Sequence, residues 1–157
     1  MLLPIREQKR QSHGGRFIII ASQYNARYVN SMVAAAKREL KRAGAKNINI
    51  IRVPGAFEIP VVASRLARMA VEEPRITVLI CLGVILRGQT SHAAHIGEAV
   101  SRALMQIQIR FEIPVIHEVL LLENEDQARV RCLGRQHNRG REAAQTALAM
   151  AKVMRQT

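Results

Sequence analysis

Ile76-Thr77-Val78-Leu79-Ile80-Cys81-Leu82-Gly83-Val84-Ile85-Leu86-Arg87-Gly88-Gln89-Thr90-Ser91-His92 is the stretch on which the fold turns. From Ile76 to Leu82 it is an almost continuous apolar run, the pattern of a strand covered on both faces. A loop from Gly83 follows, and a helix opens after His92. Gathered there are two glycines, a cation at Arg87, hydroxyls at Thr90 and Ser91, and the imidazole of His92. A buried strand does not need such an ending in order to fold. Backbone amides at a helix N-terminus attract phosphate, and histidine exchanges protons near neutral pH. The junction therefore predicts a site for a phosphorylated small molecule that undergoes acid–base chemistry.

Strand and helix alternate outward from this point. Phe17-Ile18-Ile19-Ile20-Ala21 is a second apolar run. Asn25 is placed to cap a helix whose apolar positions Val29, Met32, Val33, Ala36, Leu40 and Ala43 recur at three and four, and Gly44 to end it. Ile48, Ile50 and Val53 mark a strand closed by Pro54-Gly55. Pro60 opens a helix at a position that needs no donor. After His92, residues Ile96, Ala99, Val100, Ala103, Leu104 and Ile107 share one helix face. Pro114 to Leu120 predicts a fourth strand, residues 123–131 a short helix, and residues 140–154 a last one. The pattern predicts a single domain over residues 16–157: a three-layer α/β/α sandwich on a mostly parallel, four-stranded sheet. Residues 1–15, polar, basic and ending in Gly14-Gly15, predict an arm outside the core. Ligands of such sheets gather beyond the carboxyl ends of the strands. Four unusual segments fall there: Gln23-Tyr24-Asn25, Gly55-Ala56-Phe57-Glu58, the Gly83–His92 junction, and the region after Leu120.

At 157 residues and 48% hydrophobic composition, the chain suits one domain with a proper core. No apolar run is long enough to predict a membrane span, and the first fifteen residues lack the apolar stretch of a secretory signal. Cys81 inside an apolar strand and Cys132 in a basic segment predict reduced thiols and a cytoplasmic location. The net charge of +12 is unevenly spread. Residues 27–52 carry seven Lys or Arg against Glu39 alone, and residues 129–155 carry seven against Glu142 alone. The five aromatics are not interleaved with these clusters as stacking platforms, so an anion-attracting surface is expected rather than specific nucleic-acid recognition.

Single residues read less sharply. His92 is the strongest acid–base candidate, and Gly88, Thr90 and Ser91 beside it favour a site over a histidine that merely caps its own helix. His92, His95 and Glu98 would share one side of a helix, but no further ligands accompany them, so no metal is expected. Glu58 suits a helix N-terminal charge as well as an acceptor for ligand hydroxyls. Tyr24 suits half-buried packing as well as a stacking surface. Arg131, Arg135 and Arg139, four apart, fit a solvated helical stripe or a basic bend facing a phosphate loop; Gly134 and Gly140 interrupt the segment.

Taken together, the four segments resemble the lumazine synthase family from about Phe17 to Met154. Val53-Pro54-Gly55-Ala56-Phe57-Glu58-Ile59-Pro60 is highly specific to that family. So is Gly83-x-x-x-Arg87-Gly88-x-Thr90-x-His92, followed by a Pro-Val strand, Glu123-Asn124 and a basic loop from Arg131 to Gly140. The resemblance implies a flavodoxin-like fold and a cofactor-free, metal-free transferase of riboflavin biosynthesis. Such an enzyme condenses 5-amino-6-ribitylaminouracil with 3,4-dihydroxy-2-butanone 4-phosphate, giving 6,7-dimethyl-8-ribityllumazine, phosphate and water. By position it implies that Tyr24 stacks on the heterocycle and that Ala56, Phe57 and Glu58 hold the ribityl chain. Val84, Ile85 and Leu86 would contact the pyrimidine through backbone groups, Gln89 and Thr90 the phosphate. Arg131 would be the phosphate cation, His92 the proton shuttle, and Arg139 falls where the family usually has lysine near the pyrimidine pocket.

The chain departs from the family pattern at several points. His117 and Glu118 replace the usual Phe-Gly at a neighbour-facing wall, where His117 can still stack. Leu121-Leu122 replace paired threonines, Gln89 replaces a small or acidic residue, and Ala93-Ala94 an aromatic-acid pair. The altered wall favours the alternative, a non-catalytic flavin-binding or shell-forming relative. The family also implies pentamers with sites between neighbours, a 60-subunit shell in some members, and riboflavin synthase as a downstream partner. The short basic loop and the long arm favour the shell.

Overall fold

The computed structural model describes residues 13–157. The elements run β1 (His13–Ser22), α1 (Ala26–Arg42), β2 (Ala45–Val53), a 3₁₀ turn (Ala56–Glu58), α2 (Ile59–Glu72), β3 (Ile76–Leu86), α3 (His92–Phe111), β4 (Val115–Leu122), α4 (Glu125–Ala128), a widened π-type turn (Arg129–Leu133) and α5 (Arg139–Gln156). The four strands pair in parallel in the order β2-β1-β3-β4. This is the expected α/β architecture. Of the arm expected over residues 1–15, residues 1–12 lie outside the described residues, and the next three belong to β1. The strand starts before its apolar run because Gly15 presses against β3. A Cβ on Gly15 would stand 1.8 Å from Thr77 Oγ1, and the Arg16 N–H donates to that oxygen at 3.0 Å.

Side chains alternate across each strand, so a run apolar at every position feeds two cores. Phe17, Ile19 and Ala21 pack with Val78, Ile80, Leu82 and Val84 against α1 and α5. Ile18 and Ile20 pack with Leu79, Cys81 and Ile85 against α2 and α3. Phe17, Ile18, Ile19 and Ile20 are all fully buried, each such side chain contributing about 1.5–3 kcal/mol of apolar transfer. The outer helices approach closely where α5 begins. A Cβ on Gly140 would lie 2.0 Å from the Met32 carbonyl oxygen, so only glycine lets α5 seat on α1.

Two boundaries differ from expectation in ways that matter for the site. β3 continues through Val84, Ile85 and Leu86 rather than ending at Leu82, because β4 pairs with it as far as Leu86–Leu122. The segment expected as a helix over residues 123–131 is one α-turn followed by the π-type turn, and α5 starts at Arg139.

Candidate active site

The carboxyl ends of β1, β2 and β3 meet through short loops. After β1, the Gln23 N–H donates to Val53 O at 2.8 Å and the Tyr24 N–H to Pro54 O at 3.1 Å, tying the first loop to the second. Asn25 then sits in the left-handed region at φ 57°, tolerable for asparagine. Its side chain does not cap α1, contrary to the sequence expectation. It reaches across the sheet instead, Nδ2 donating to Val84 O at 2.7 Å. Only tertiary packing brings Val84 within its reach. Glu58 folds back so that Oε2 accepts the Gly55 N–H at 2.9 Å. A Cβ on Gly55 would meet that oxygen and the Tyr24 ring, both 2.9 Å away, so Tyr24, Gly55 and Glu58 form one tight group. Tyr24 and Phe57 stay 69% and 62% exposed, whereas Ala56, Val84 and Ile85 are buried.

Beyond β3, the Arg87 guanidinium pairs with Glu123 at 2.8 Å, and the Arg87 N–H donates to Leu122 O. These contacts anchor the turn Gly88-Gln89-Thr90-Ser91, which is exposed throughout. α3 opens at His92 with no side-chain cap from Ser91 and no acid in its first turn. Thr90 Oγ1 makes only a long contact, 3.4 Å, with the His92 N–H. Among the described residues the His92 ring has no hydrogen-bond partner, and His92, His95 and Glu98 do not converge into a group able to hold a metal. A helix start left open in this way presents its amides to an anion.

A second group lies on β4 and before α5. His117 and Glu118 are neighbours in sequence but face opposite sides of the sheet. His117 turns toward α3: Nδ1 accepts the Val119 N–H at 3.1 Å, so in the neutral ring Nε2 carries the proton and donates to Ser101 Oγ at 2.7 Å. Burial holds the imidazole below its ordinary value. Glu118 turns toward α5. Burial pushes its carboxyl up to about 7; Arg139 and Arg131 pull it down and Glu142 pushes it up. Arg139 is itself paired with Glu142 at 2.7 Å. The bend is fastened by Asn138, which sequence reasoning did not single out. Its buried side chain accepts the Gly140 N–H at 2.9 Å and donates to Cys132 O at 2.6 Å. The local signal was present, an asparagine immediately before a helix, but the reach to Cys132 exists only in the fold.

The two groups do not merge within one chain. Among the described residues no hydrogen bond or ion pair joins Arg131 or Arg139 to Gln89, Thr90 or His92. His117 pairs with Cys81, five residues short of the β4 end at Leu122, which is roughly 17 Å of strand.

Fold and site define a doubly wound parallel α/β protein with an open, anion-ready helix start beyond its central strand. Comparison with known proteins sharpens that class. The family profile for 6,7-dimethyl-8-ribityllumazine synthase matches residues 14–155. A Stenotrophomonas maltophilia (strain R551-3) protein named 6,7-dimethyl-8-ribityllumazine synthase is 39% identical over 149 residues, 94% of each chain. Its namesake in Xanthomonas oryzae pv. oryzae (strain PXO99A) is 38% identical over 141 residues, 88% of this chain and 89% of the relative. This chain belongs to the 6,7-dimethyl-8-ribityllumazine synthase family.

Proposed function

We propose that this chain catalyses the family reaction, the condensation of 5-amino-6-ribitylaminouracil with 3,4-dihydroxy-2-butanone 4-phosphate in riboflavin biosynthesis. The observation that carries the reading is the uncapped start of α3, where open amides stand beside the exposed Thr90 and His92. Thr90, Gln89 and those amides receive the phosphate, with Arg131 as its cation. Tyr24 stacks on the pyrimidine and Arg139 lies near it. Ala56, Phe57 and Glu58 hold the ribityl chain, and Val84, Ile85 and Leu86 offer backbone groups. The amine attacks the ketone and an imine forms with loss of one water, phosphate leaves, and ring closure expels a second water. Every step moves a proton, and His92 is the group placed to carry it, a contribution of typically ~10²–10⁴-fold. Holding two substrates together supplies the rest.

The separation of the two groups supports a site shared between copies. Tyr24, Glu58, Thr90 and His92 come from one chain, and His117, Arg131 and Arg139 from its neighbour. The assembly is then a pentamer, with a 60-subunit shell as its fuller form, in the cytoplasm, passing its product to riboflavin synthase. Incubating the protein with both substrates and following lumazine fluorescence tests the activity. Binding of a flavin without turnover would replace it with the non-catalytic alternative. Light scattering tests the assembly, since a monomer or dimer rules out the five-fold shared site.

A further inference from the structure

Of the two basic clusters noted in the sequence, residues 27–52 and 129–155, the proposed site takes only Arg131 and Arg139. The packing of α5 on α1 brings part of each to one place. There Arg38, Glu39 and Arg42 of α1 meet Arg135 and Arg141 around a cleft of about 660 Å³. That volume falls in the usual range of small-molecule sites, about 300–1,000 Å³. Arg131 and Arg139, assigned to the substrates, belong to the Glu118 group and are not part of this lining.

Charge in the cleft is one-sided: four arginines against the single carboxylate of Glu39 leave a net charge of +3. Glu39 is already engaged. Its buried carboxylate accepts from Arg42 at 2.6 Å and from Gln145 at 3.3 Å, and Arg141 Nε lies 3.4 Å away. Arg42 and Arg141 are thereby held in place by α1 and α5. Arg38 and Arg135 are exposed and form no ion pair among the described residues. Guanidinium groups gathered around one space, two of them oriented by a buried acid, suit phosphate oxygens, which they grip in forked pairs. The lining holds no aromatic side chain on which a base would stack. Recognition there rests on phosphate charge, not on a nucleobase.

We propose that the cleft between α1 and α5 binds a compact oligophosphate anion, such as pyrophosphate, tripolyphosphate or the phosphate tail of a nucleoside triphosphate, at a site separate from the substrate phosphate turn. Sodium tripolyphosphate titrated calorimetrically into the assembled protein at moderate salt is the test. Saturable binding is expected, weakened at least about tenfold in Arg38→Gln/Arg135→Gln and retained in Arg131→Ala. Both glutamines replace exposed side chains, and Arg135→Glu alone, outside any helix or strand, carries the same expectation should the double variant not fold. Binding lost in Arg131→Ala but kept in the double variant would place the anion at the substrate turn and overturn the proposal. Binding indifferent to all these variants would overturn it as well. So would a single-stranded RNA held through Arg38 and Arg135 that tripolyphosphate neither matches nor displaces, since the surface would then read a polynucleotide.

Discussion

The helix starts of α3 and α5 are built in opposite ways. At α5 the amides are satisfied from within: Asn138 caps Gly140, Glu142 supplies the first-turn acid and holds Arg139, and Gly140 lies against Met32. At α3 little of this is present: Ser91 does not cap, Thr90 Oγ1 reaches the His92 N–H only at 3.4 Å, no acid occupies the first turn, and Gln89, Thr90 and His92 face solvent. Both starts face the same physical demand, several amides without intrahelical partners. One meets it with its own side chains and thereby fastens the fold. The other leaves it to a ligand. The difference separates residues whose loss costs stability from residues whose loss costs chemistry.

That contrast breaks most sharply at His92. His92→Ala is expected to lower turnover about 10²-fold or more while the melting temperature stays where it was, since the side chain is exposed and its ring has no hydrogen-bond partner among the described residues. Lumazine fluorescence and a thermal melt on the same sample check both halves; unchanged turnover removes His92 from the mechanism. Asn138→Ala should do the reverse. It strands the Gly140 N–H and the Cys132 carbonyl, a cost of about 2 kcal/mol, or roughly 4–8 °C in melting temperature. A urea titration showing wild-type stability would mean that the α5 start is no better fastened than α3.

Smaller effects sharpen the boundary between the two regions. Arg131→Ala should raise the KM for the butanone phosphate about tenfold, with little change for the pyrimidine. An equal rise for both substrates would make Arg131 a structural cation of the bend. Glu118 gives the mildest signature. Its folded-state value of about 7 lies above that of a free carboxyl, so the folded form holds the proton more tightly than the unfolded one. Its contribution to stability is complete below the unfolded value and is lost as pH rises toward 7. Glu118→Gln should therefore be more stable than wild type at pH 8, by on the order of 1 kcal/mol, with the gap closing toward pH 5. Parallel denaturation curves at the two pH values measure it; a gap of constant size would mean that the carboxyl is not held protonated by burial.

Much of this was legible in the chain. Phe17–Ala21 and Ile76–Leu82, apolar at nearly every position, are central strands covered twice, and the helix faces followed from the spacing of residues such as Val29, Met32 and Leu40. Strand ends were read less well, because Val84, Ile85 and Leu86 become strand only when β4 pairs with them. Asn25 shows the same limit. Local sequence marks it as a helix cap, yet its amide goes to Val84 O, a partner 59 residues away.

The amino-acid order by itself determined the layers, the number of strands and the position of the His92 junction, because hydrophobic period and turn chemistry are properties of neighbouring residues. Tertiary structure alone decided what faces what. That His117 and Glu118 point apart follows from the strand itself; that one meets α3 and the other α5 is the work of packing. It also pressed two basic segments, about a hundred residues apart, into a single cleft around Glu39. Charge along the chain announces repulsion; only the packing of α5 on α1 says where that charge gathers, and which carboxylate stands within reach of it.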